Sequence, residues 1–409
     1  MKSWDADVVV TGAGPGGTVL AYLLARSGVK TVLVERHRDL SREFRGYFFQ
    51  PLVLKLFHQM GLLETILSLG HRKEKGPCFY DRGQRLFEIR LDRLSDDYPY
   101  GINMPQPPLL ELLIKEASRY PTFSYRGGTQ VIGLLREEGK TAGVRLRTAA
   151  GEEKLRARLT VGADGRYSTV RRLAEIPQRT EPHRLDLVWL SVPLPRKKEI
   201  PMQFRVEEEG MLIYVPMYPD QVQLGWFIPK GSYPVLKKEG IEAFREKLSS
   251  VDPGLKEHLE RELTDFSQCS LLQIISGRAK RWTEAGLMII GDAAHTSSPF
   301  SGQGNSLAIQ DAVVAHPIIL EALAGGRGIL PQKKLTPFEA QRRPSIRRIQ
   351  QMQRMQARLL GTRHPLEAWL RRQLLPRLAR TPLFHRMQHL IAWGDQPLKV
   401  AADRFRAIQ

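Results

Sequence analysis

The chain has 409 residues, 62 Lys+Arg against 43 Asp+Glu, and 42% hydrophobic residues without a low-complexity tract. This composition supplies two or three domains with a substantial core and excludes a disordered or fibrous protein. Cys78 and Cys269 stand far apart, without metal or redox spacing, which fits a reducing compartment. The opening Met1–Asp7 has no signal-peptide character and no run of 18 apolar residues occurs, so a cytoplasmic protein is expected.

Val8–Val10 is a β-branched run that predicts a buried strand. Gly12, Gly14 and Gly17 follow in G-x-G-x-x-G spacing, with Pro15 and Gly16 between them. Apolar residues from Thr18 to Ser27 then give one helix face, and Thr31–Val34 is a second strand ending at Glu35. Gly12 permits a tight turn, Gly14 lets backbone approach a pyrophosphate, and Gly17 lets helix pack on strand. The helix start offers free N–H groups to phosphate oxygens. Glu35 can accept hydrogen bonds from a ribose 2′-hydroxyl, which disfavours NADP here and leaves FAD and NAD open.

Further along, helices are expected at Pro51–Met60, Leu63–Gly70 and Leu109–Arg119, with a hairpin over Cys78–Leu91 turning at Asp81–Gly83. Strands at Gln130–Arg136, Ala142–Thr148 and Lys154–Val161 form a meander that runs into "GADGRYSTVRR", residues 162–172. Asp164 sits where the chain leaves that strand, and Ser168 is placed to cap the next helix. Short strands at Val188–Val192, Met202–Val206, Met211–Pro216 and Val222–Ile228 predict an antiparallel sheet, followed by helices at Gly240–Ser249 and Gly254–Arg261. A buried strand at 286–292 leads into "GDAAHTSSPFSGQGNSLAIQDA", residues 291–312, where Asp292 can accept from sugar-alcohol hydroxyls and the Gly302–Gly304 helix start favours negative charge. A strand–helix unit that returns near residue 290 implies a discontinuous cofactor domain with an inserted sheet domain.

The three motifs in this order resemble the single-component FAD-dependent aromatic hydroxylases, which share the para-hydroxybenzoate hydroxylase fold. The resemblance extends through "ERHRDLSREFRG", "MPQPPLLELL", "GWFIPKGSY" and "RAKRW", over about residues 5–320. It implies an α/β fold: a Rossmann-like FAD-binding domain (1–75, 101–178, 271–330), an inserted antiparallel-sheet substrate domain (76–100, 179–270) and a helical region (331–409). It also implies that FAD is the dinucleotide. Gly12, Gly14, Pro15, Gly16 and Gly17 would lie against the pyrophosphate, Glu35 at the adenosine ribose and Arg36 beside the adenosine. Arg45 and Gln106 would flank the flavin nucleotide, and Asp164 would stand near the pyrophosphate and serve nicotinamide binding. Asp292 would meet the ribityl or phosphate region, Pro299 the isoalloxazine, and Gly302, Gly304 and Asn305 the flavin N1 edge. The family commonly reads G-x-G-x-N, whereas here asparagine comes one position early and Ser306 takes its usual place.

Such enzymes reduce FAD with NAD(P)H, add O₂ to form a flavin C4a-hydroperoxide, and hydroxylate or epoxidise an aromatic or lipophilic small molecule. No acid–base pair is required; among flavin-loop residues, Pro299 and His295 are the catalytic candidates, with His295 expected to be structural. Phe49, Gln203, Tyr214 and Trp226, together with Tyr47 and Phe48, are candidates for the substrate pocket. A flavin halogenase would want W-x-W-x-I-P where "GWFIP" stands, and a polyprenyl reductase would lack GDAAHxxxPxxGxG. A non-catalytic FAD protein that binds membrane or nucleic acid is the remaining alternative. Much of the net charge of +19 falls in Arg342–Gln409, with fifteen Lys+Arg against three acids. With no interleaved aromatic platform, nucleic acid is disfavoured as its partner. A solvated basic helical face is expected there, and peripheral contact with an anionic membrane is the alternative.

Overall fold

The computed structural model describes residues 3–40, 48–193, 201–300, 302–361 and 364–407. Arg45 and Tyr47 lie outside these residues. The first strand, Ala6–Thr11, lies at the centre of an eight-stranded sheet, parallel to Thr31–Val34 on one side and Gly151–Gly162 on the other. A parallel strand covered on both faces needs apolar side chains on both, and Val8, Val9 and Val10 are all fully buried. Phe123–Arg126 extends this sheet beyond Thr31–Val34. Leu287–Ile289 and Thr283–Glu284 extend it beyond Gly151–Gly162, and the meander strands Lys140–Thr148 and Gln130–Glu137 branch from the same long strand.

The glycine-led helix is Pro15–Arg26, with proline in its first turn, and its residues from Pro15 to Ala25 are buried. It packs on the long helix Gly304–Ala324. A Cβ at Gly16 would approach the Ala308 carbonyl oxygen to 2.9 Å, so the two helices meet at a contact that suits glycine. Gly304–Ala324 is long and apolar enough to cross a membrane, but 67% of its apolar window is buried inside this protein. Its apolarity is that of a core helix wrapped by other elements.

The second layer is a seven-stranded sheet running Cys269–Leu272, Leu185–Pro193, Gln221–Pro229, Met211–Met217, Gln203–Val206, Cys78–Asp81 and Gln84–Glu88. The hairpin Cys78–Glu88 joins it through a parallel pairing to Gln203–Val206, so the sheet is mixed rather than wholly antiparallel. Strand alternation divides its side chains between two cores. Val188, Leu190, Leu212, Tyr214, Leu224 and Trp226 face helices Ile241–Val251 and Lys256–Glu262. Leu187, Trp189, Phe204, Ile213, Val215 and Phe227 face the other way, together with Phe300.

After Pro331 the described residues form the α-helices Gln332–Gly361, Pro365–Leu378 and Pro382–Trp393. They lie over both layers, and the expectation of a merely solvated basic face fails at two arginines. Arg342 is 1% exposed and donates to Asp311 of the long helix at 2.7 Å. Arg371 is also buried and donates to Asp81 of the substrate sheet at 2.8 Å. Each pairing buries a cation against a carboxylate and fixes a C-terminal helix to a different layer.

Candidate active site

A cavity of about 790 Å³ lies between the two layers. Its polar lobe is built by strand ends and helix starts of the first layer. Gly12 has φ +98°, and a Cβ there would meet the Ala163 carbonyl oxygen at 2.6 Å; one at Gly17 would meet the Gly12 oxygen at 2.0 Å. Both positions therefore demand glycine. Gly12, Gly14, Pro15, Gly16 and Gly17 all border the cavity, as do Glu35, Arg36 and Gln106. The buried Glu35 carboxylate accepts the Ala13 N–H at 2.8 Å and the His37 N–H at 3.1 Å. It is thus held at the end of the second strand, facing the glycine turn.

Asp164 borders the same lobe. Its carboxylate accepts the Ser168 hydroxyl at 2.5 Å and the N–H groups of Thr169 and Val170 at 2.7 and 3.0 Å. Burial pushes its pKa upward against these bonds, which favour the charged form. Ser168 in turn caps the short helix by accepting from Arg171 N–H at 2.9 Å. Asp292 stands in the turn after strand Leu287–Ile289, with Arg166 Nη2 3.8 Å from its Oδ2.

The loop after Asp292 is braced from behind. Asp311, fully buried, accepts from Gly291 N–H at 2.8 Å, from His295 Nε2 at 2.6 Å and from Arg342 Nε. Burial alone would raise its carboxyl, but His295 and Arg342 overcome that and hold it at about 2. His295 is itself buried, packs 5.1 Å from the Trp282 ring and does not border the cavity. Its catalytic candidacy is thereby withdrawn: the side chain points at the bracing carboxylate. Pro299, Gly302, Gly304 and Asn305 do border the cavity. Ser306 does not; its hydroxyl donates to Gln50 Oε1, and Gln50 Nε2 donates to the Gly302 carbonyl at 3.2 Å. Asparagine one position early therefore brings Asn305 to the cavity and turns Ser306 to the loop's support.

The other lobe is apolar, walled by Trp189, Met202, Phe204, Ile213, Val215 and Leu272, with Phe48 at its border with the first layer. Here the expected substrate residues are corrected. Tyr214 lies between Ile213 and Val215 on a strand, so it faces away, and its hydroxyl donates to Asp252 at 3.0 Å. Trp226 packs in the same outer core, and Gln203, paired in register with Tyr214, is likewise absent from the wall. Phe49 is fully buried in the first layer, edge-on to Phe57 at 5.9 Å. Its neighbour Phe48, also a candidate, does border the cavity. Period-two alternation was readable in the strands, but which face met the cofactor layer was not. One cross-strand signal points to the correct face: a Cβ at Gly225 would touch the Trp189 ring at 2.7 Å. Glycine opposite tryptophan marks where that ring lies over the sheet.

The chemistry of the lining fits a flavin dinucleotide. The polar lobe pairs a glycine turn at a helix start with a fixed acid, as a pyrophosphate and ribose require. The Ser297 and Ser298 hydroxyls in the wall are buried without a partner among the described residues, as expected of groups that meet a ligand. An apolar lobe lies beyond. Fold and site together define a two-layer protein built to hold a flavin dinucleotide.

The FAD binding domain family model matches residues 5–353, and the chain belongs to that family. It is 38% identical over 400 residues to the 6-methylpretetramide 4-monooxygenase of Streptomyces rimosus, covering 98% of this chain and 95% of that one. It is 28% identical to the rifampicin monooxygenase of Streptomyces venezuelae over 87% of this chain and 72% of that one. Among solved structures, Pseudomonas aeruginosa PqsL in complex with 2-aminobenzoylacetate superposes with a TM-score of 0.78 at 25% identity, covering 92% of this chain and all of that one. The protein is an FAD-dependent monooxygenase that uses NAD(P)H as co-substrate. The flavin-dependent brominase Bmp2, at 17% identity, shares the fold alone. Trp226, the tryptophan of "GWFIP", points away from the cavity, so the halogenase reading is not favoured.

Proposed function

We propose that this enzyme hydroxylates an electron-rich, multi-ring phenol of the pretetramide type. The observation that carries the reading is the cluster of aromatic and aliphatic side chains lining the cavity beside the flavin motifs. The 38% identity to a 6-methylpretetramide 4-monooxygenase along nearly the full chain supports it. Trp189, Phe204 and Phe48 offer aromatic faces to flat rings, and Ile213, Val215 and Leu272 fill between them. None of these six side chains takes or gives a proton near pH 7. The substrate must therefore bring its own electron density, as a phenol with ring hydroxyls does.

When bound, FAD supplies the activation of O₂ with electrons from NAD(P)H. The chain's contribution is to bind, orient and exclude water. In this reading the Gly12–Gly17 turn holds the pyrophosphate, Glu35 the adenosine ribose, and Arg36 and Gln106 flank the nucleotide. Asp164 carries the strand end toward the nicotinamide, Asp292 accepts from ribityl hydroxyls, and Pro299, Gly302, Gly304 and Asn305 meet the ring system. The apolar wall keeps water from the reacting atoms and orients the substrate ring by shape. The division into a cofactor domain of three segments, an inserted substrate domain and a C-terminal helical region belongs to the same proposal.

The test is NAD(P)H and O₂ consumption by the purified enzyme with a panel of monocyclic phenols, quinols and pretetramide-type polyphenols. The multi-ring phenol should accelerate NAD(P)H oxidation and yield an equimolar singly hydroxylated product. Stimulation only by monocyclic phenols, or peroxide without hydroxylated product, would overturn the reading. A colourless protein that fails to bind added FAD would overturn the cofactor assignment.

A further inference from the structure

We propose that the outer face of helix Pro365–Leu378 docks on an anionic lipid bilayer and seats the enzyme at a membrane surface. Eleven large apolar side chains are exposed among the described residues, and eight of them fall between Met355 and Leu383. Five belong to this one helix: Leu366, Trp369, Leu370, Leu374 and Leu378, all 38% exposed or more. Their spacing places them on one side at 100° per residue. Ala368, Arg371 and Leu375 are buried on the opposite side. The inner side is packed, while these five large apolar side chains stay exposed on the other. The helix cannot roll to hide the outer face, because Arg371 is tied to Asp81 at 2.7–2.8 Å beneath it. Exposed apolar surface concentrated in one place marks an interaction site rather than ordinary surface scatter.

Charge decides the occupant. Between Arg354 and Arg386 the sequence carries eight arginines and one acid, Glu367. Arg358, Arg377, Arg380 and Arg386 are exposed, and among the described residues none of them meets a carboxylate. In a two-fold dimer through this face, each cluster would be brought toward its own copy, and like charges would oppose association. A bilayer with acidic headgroups does the reverse, receiving Leu and Trp side chains at the acyl boundary while the arginines meet phosphates. The net charge of +19 adds long-range attraction to the same surface.

The FAD-loaded enzyme is sedimented with vesicles of equal parts phosphatidylglycerol and phosphatidylcholine, and with vesicles of phosphatidylcholine alone. Binding is expected to the anionic vesicles only, weakening steeply as salt rises. Each arginine neutralised near the surface should lower the partition coefficient about fivefold, so R377Q/R380Q should lose about twenty-five-fold. W369S/L374S should abolish binding while NAD(P)H oxidation in solution is unchanged, since both side chains lie outside the cavity. Tryptophan emission should shift to the blue on anionic vesicles in the parent enzyme and not in W369F. Equal sedimentation with both vesicle types, or undiminished binding by W369S/L374S, overturns the proposal. A concentration-dependent dimer that W369S/L374S dissociates assigns the face to a second copy and also overturns it. Retention on polyglutamate without retention by anionic vesicles assigns it to an acidic protein, with the same consequence.

Discussion

Replacing Arg342 by leucine tests whether the C-terminal region is a working part of the flavin loop's support. Arg342 is 1% exposed and Asp311 wholly buried, so R342L leaves a carboxylate in the interior with only the His295 ring and the Gly291 N–H. Removing one partner of a buried ion pair destabilises by about 3–5 kcal/mol, far above the typical loss for a surface arginine. The effect should reach the cavity, because the Gly291 N–H held by that carboxylate immediately precedes Asp292. Unfolding of the FAD-loaded parent, R342L, D311N and R342L/D311N forms a double-mutant cycle. A coupling of about 1–3 kcal/mol is expected, with the double variant less damaged than the sum of the singles.

The pH dependence supplies an independent check. Asp311 is held at about 2 in the folded protein, below its ordinary carboxylate value, so the unfolded chain binds more protons over that interval. The stabilisation is complete above pH 4 and is lost as pH falls from there toward 2. In R342L a partner that lowers the carboxyl is gone while burial remains, so the gap in stability between parent and variant should narrow over that same interval. A loss under about 1 kcal/mol at neutral pH, or strict additivity in the cycle, would refute the reasoning.

Asp292→Ala should weaken FAD binding while the fold survives: the side chain borders the cavity, and a lost hydrogen bond to a buried partner corresponds to about 1–3 kcal/mol, read as the FAD dissociation constant. Ile213→Trp should fill the apolar lobe, raising KM for the aromatic substrate with FAD affinity unchanged; an unaltered KM would show that the substrate sits elsewhere. Glu74 is buried beside the Met202 N–H, and burial lifts its pKa to about 7. Between pH 4.5 and 7 the folded chain therefore holds a proton that the unfolded chain has released, so this group makes stability fall as pH rises through that window. Glu74→Gln should remove a slope amounting to about 3 kcal/mol, checked by urea midpoints across the window.

The first layer was legible because its signals are local. Glycine at Gly12 and Gly17, the acid at Glu35 and the strand between them lie within 30 residues, and each answers a steric or hydrogen-bonding demand made by its immediate neighbours. The antiparallel strands were legible too, by alternation. What alternation cannot supply is the direction of the cavity: Tyr214 and Ile213 are both large, buried neighbours, and only the position of the other layer decides which of them faces it. Of the aromatic candidates, Tyr214 and Trp226 therefore come from the wrong side of the sheet, whereas Phe48 borders the cavity. Trp189 is the tryptophan on the cavity side.

The basic C-terminal region shows the same limit at longer range. An arginine's sequence neighbours do not reveal whether a carboxylate from another element will be waiting for it. Asp81 precedes Arg371 by 290 positions, and Asp311 precedes Arg342 by 31. Both acids are buried among apolar residues where an unpaired charge would be strongly unfavourable, so the arginine is required by the acid's location rather than by its own surroundings. Four exposed arginines of the region are the converse case. Arg358, Arg377, Arg380 and Arg386 meet no acid among the described residues, and they flank the leucines and tryptophan that the fold leaves uncovered. The same residue type thus serves two ends in one segment: where an acid faces it, it anchors a helix to a layer, and where none does, it leaves positive charge beside exposed apolar surface. Neutralising Arg377 and Arg380 should accordingly leave the thermal unfolding midpoint unchanged, while R342L lowers it. A comparable loss from both would mean that the exposed arginines are structural, and the division drawn between them and the buried pair would fail.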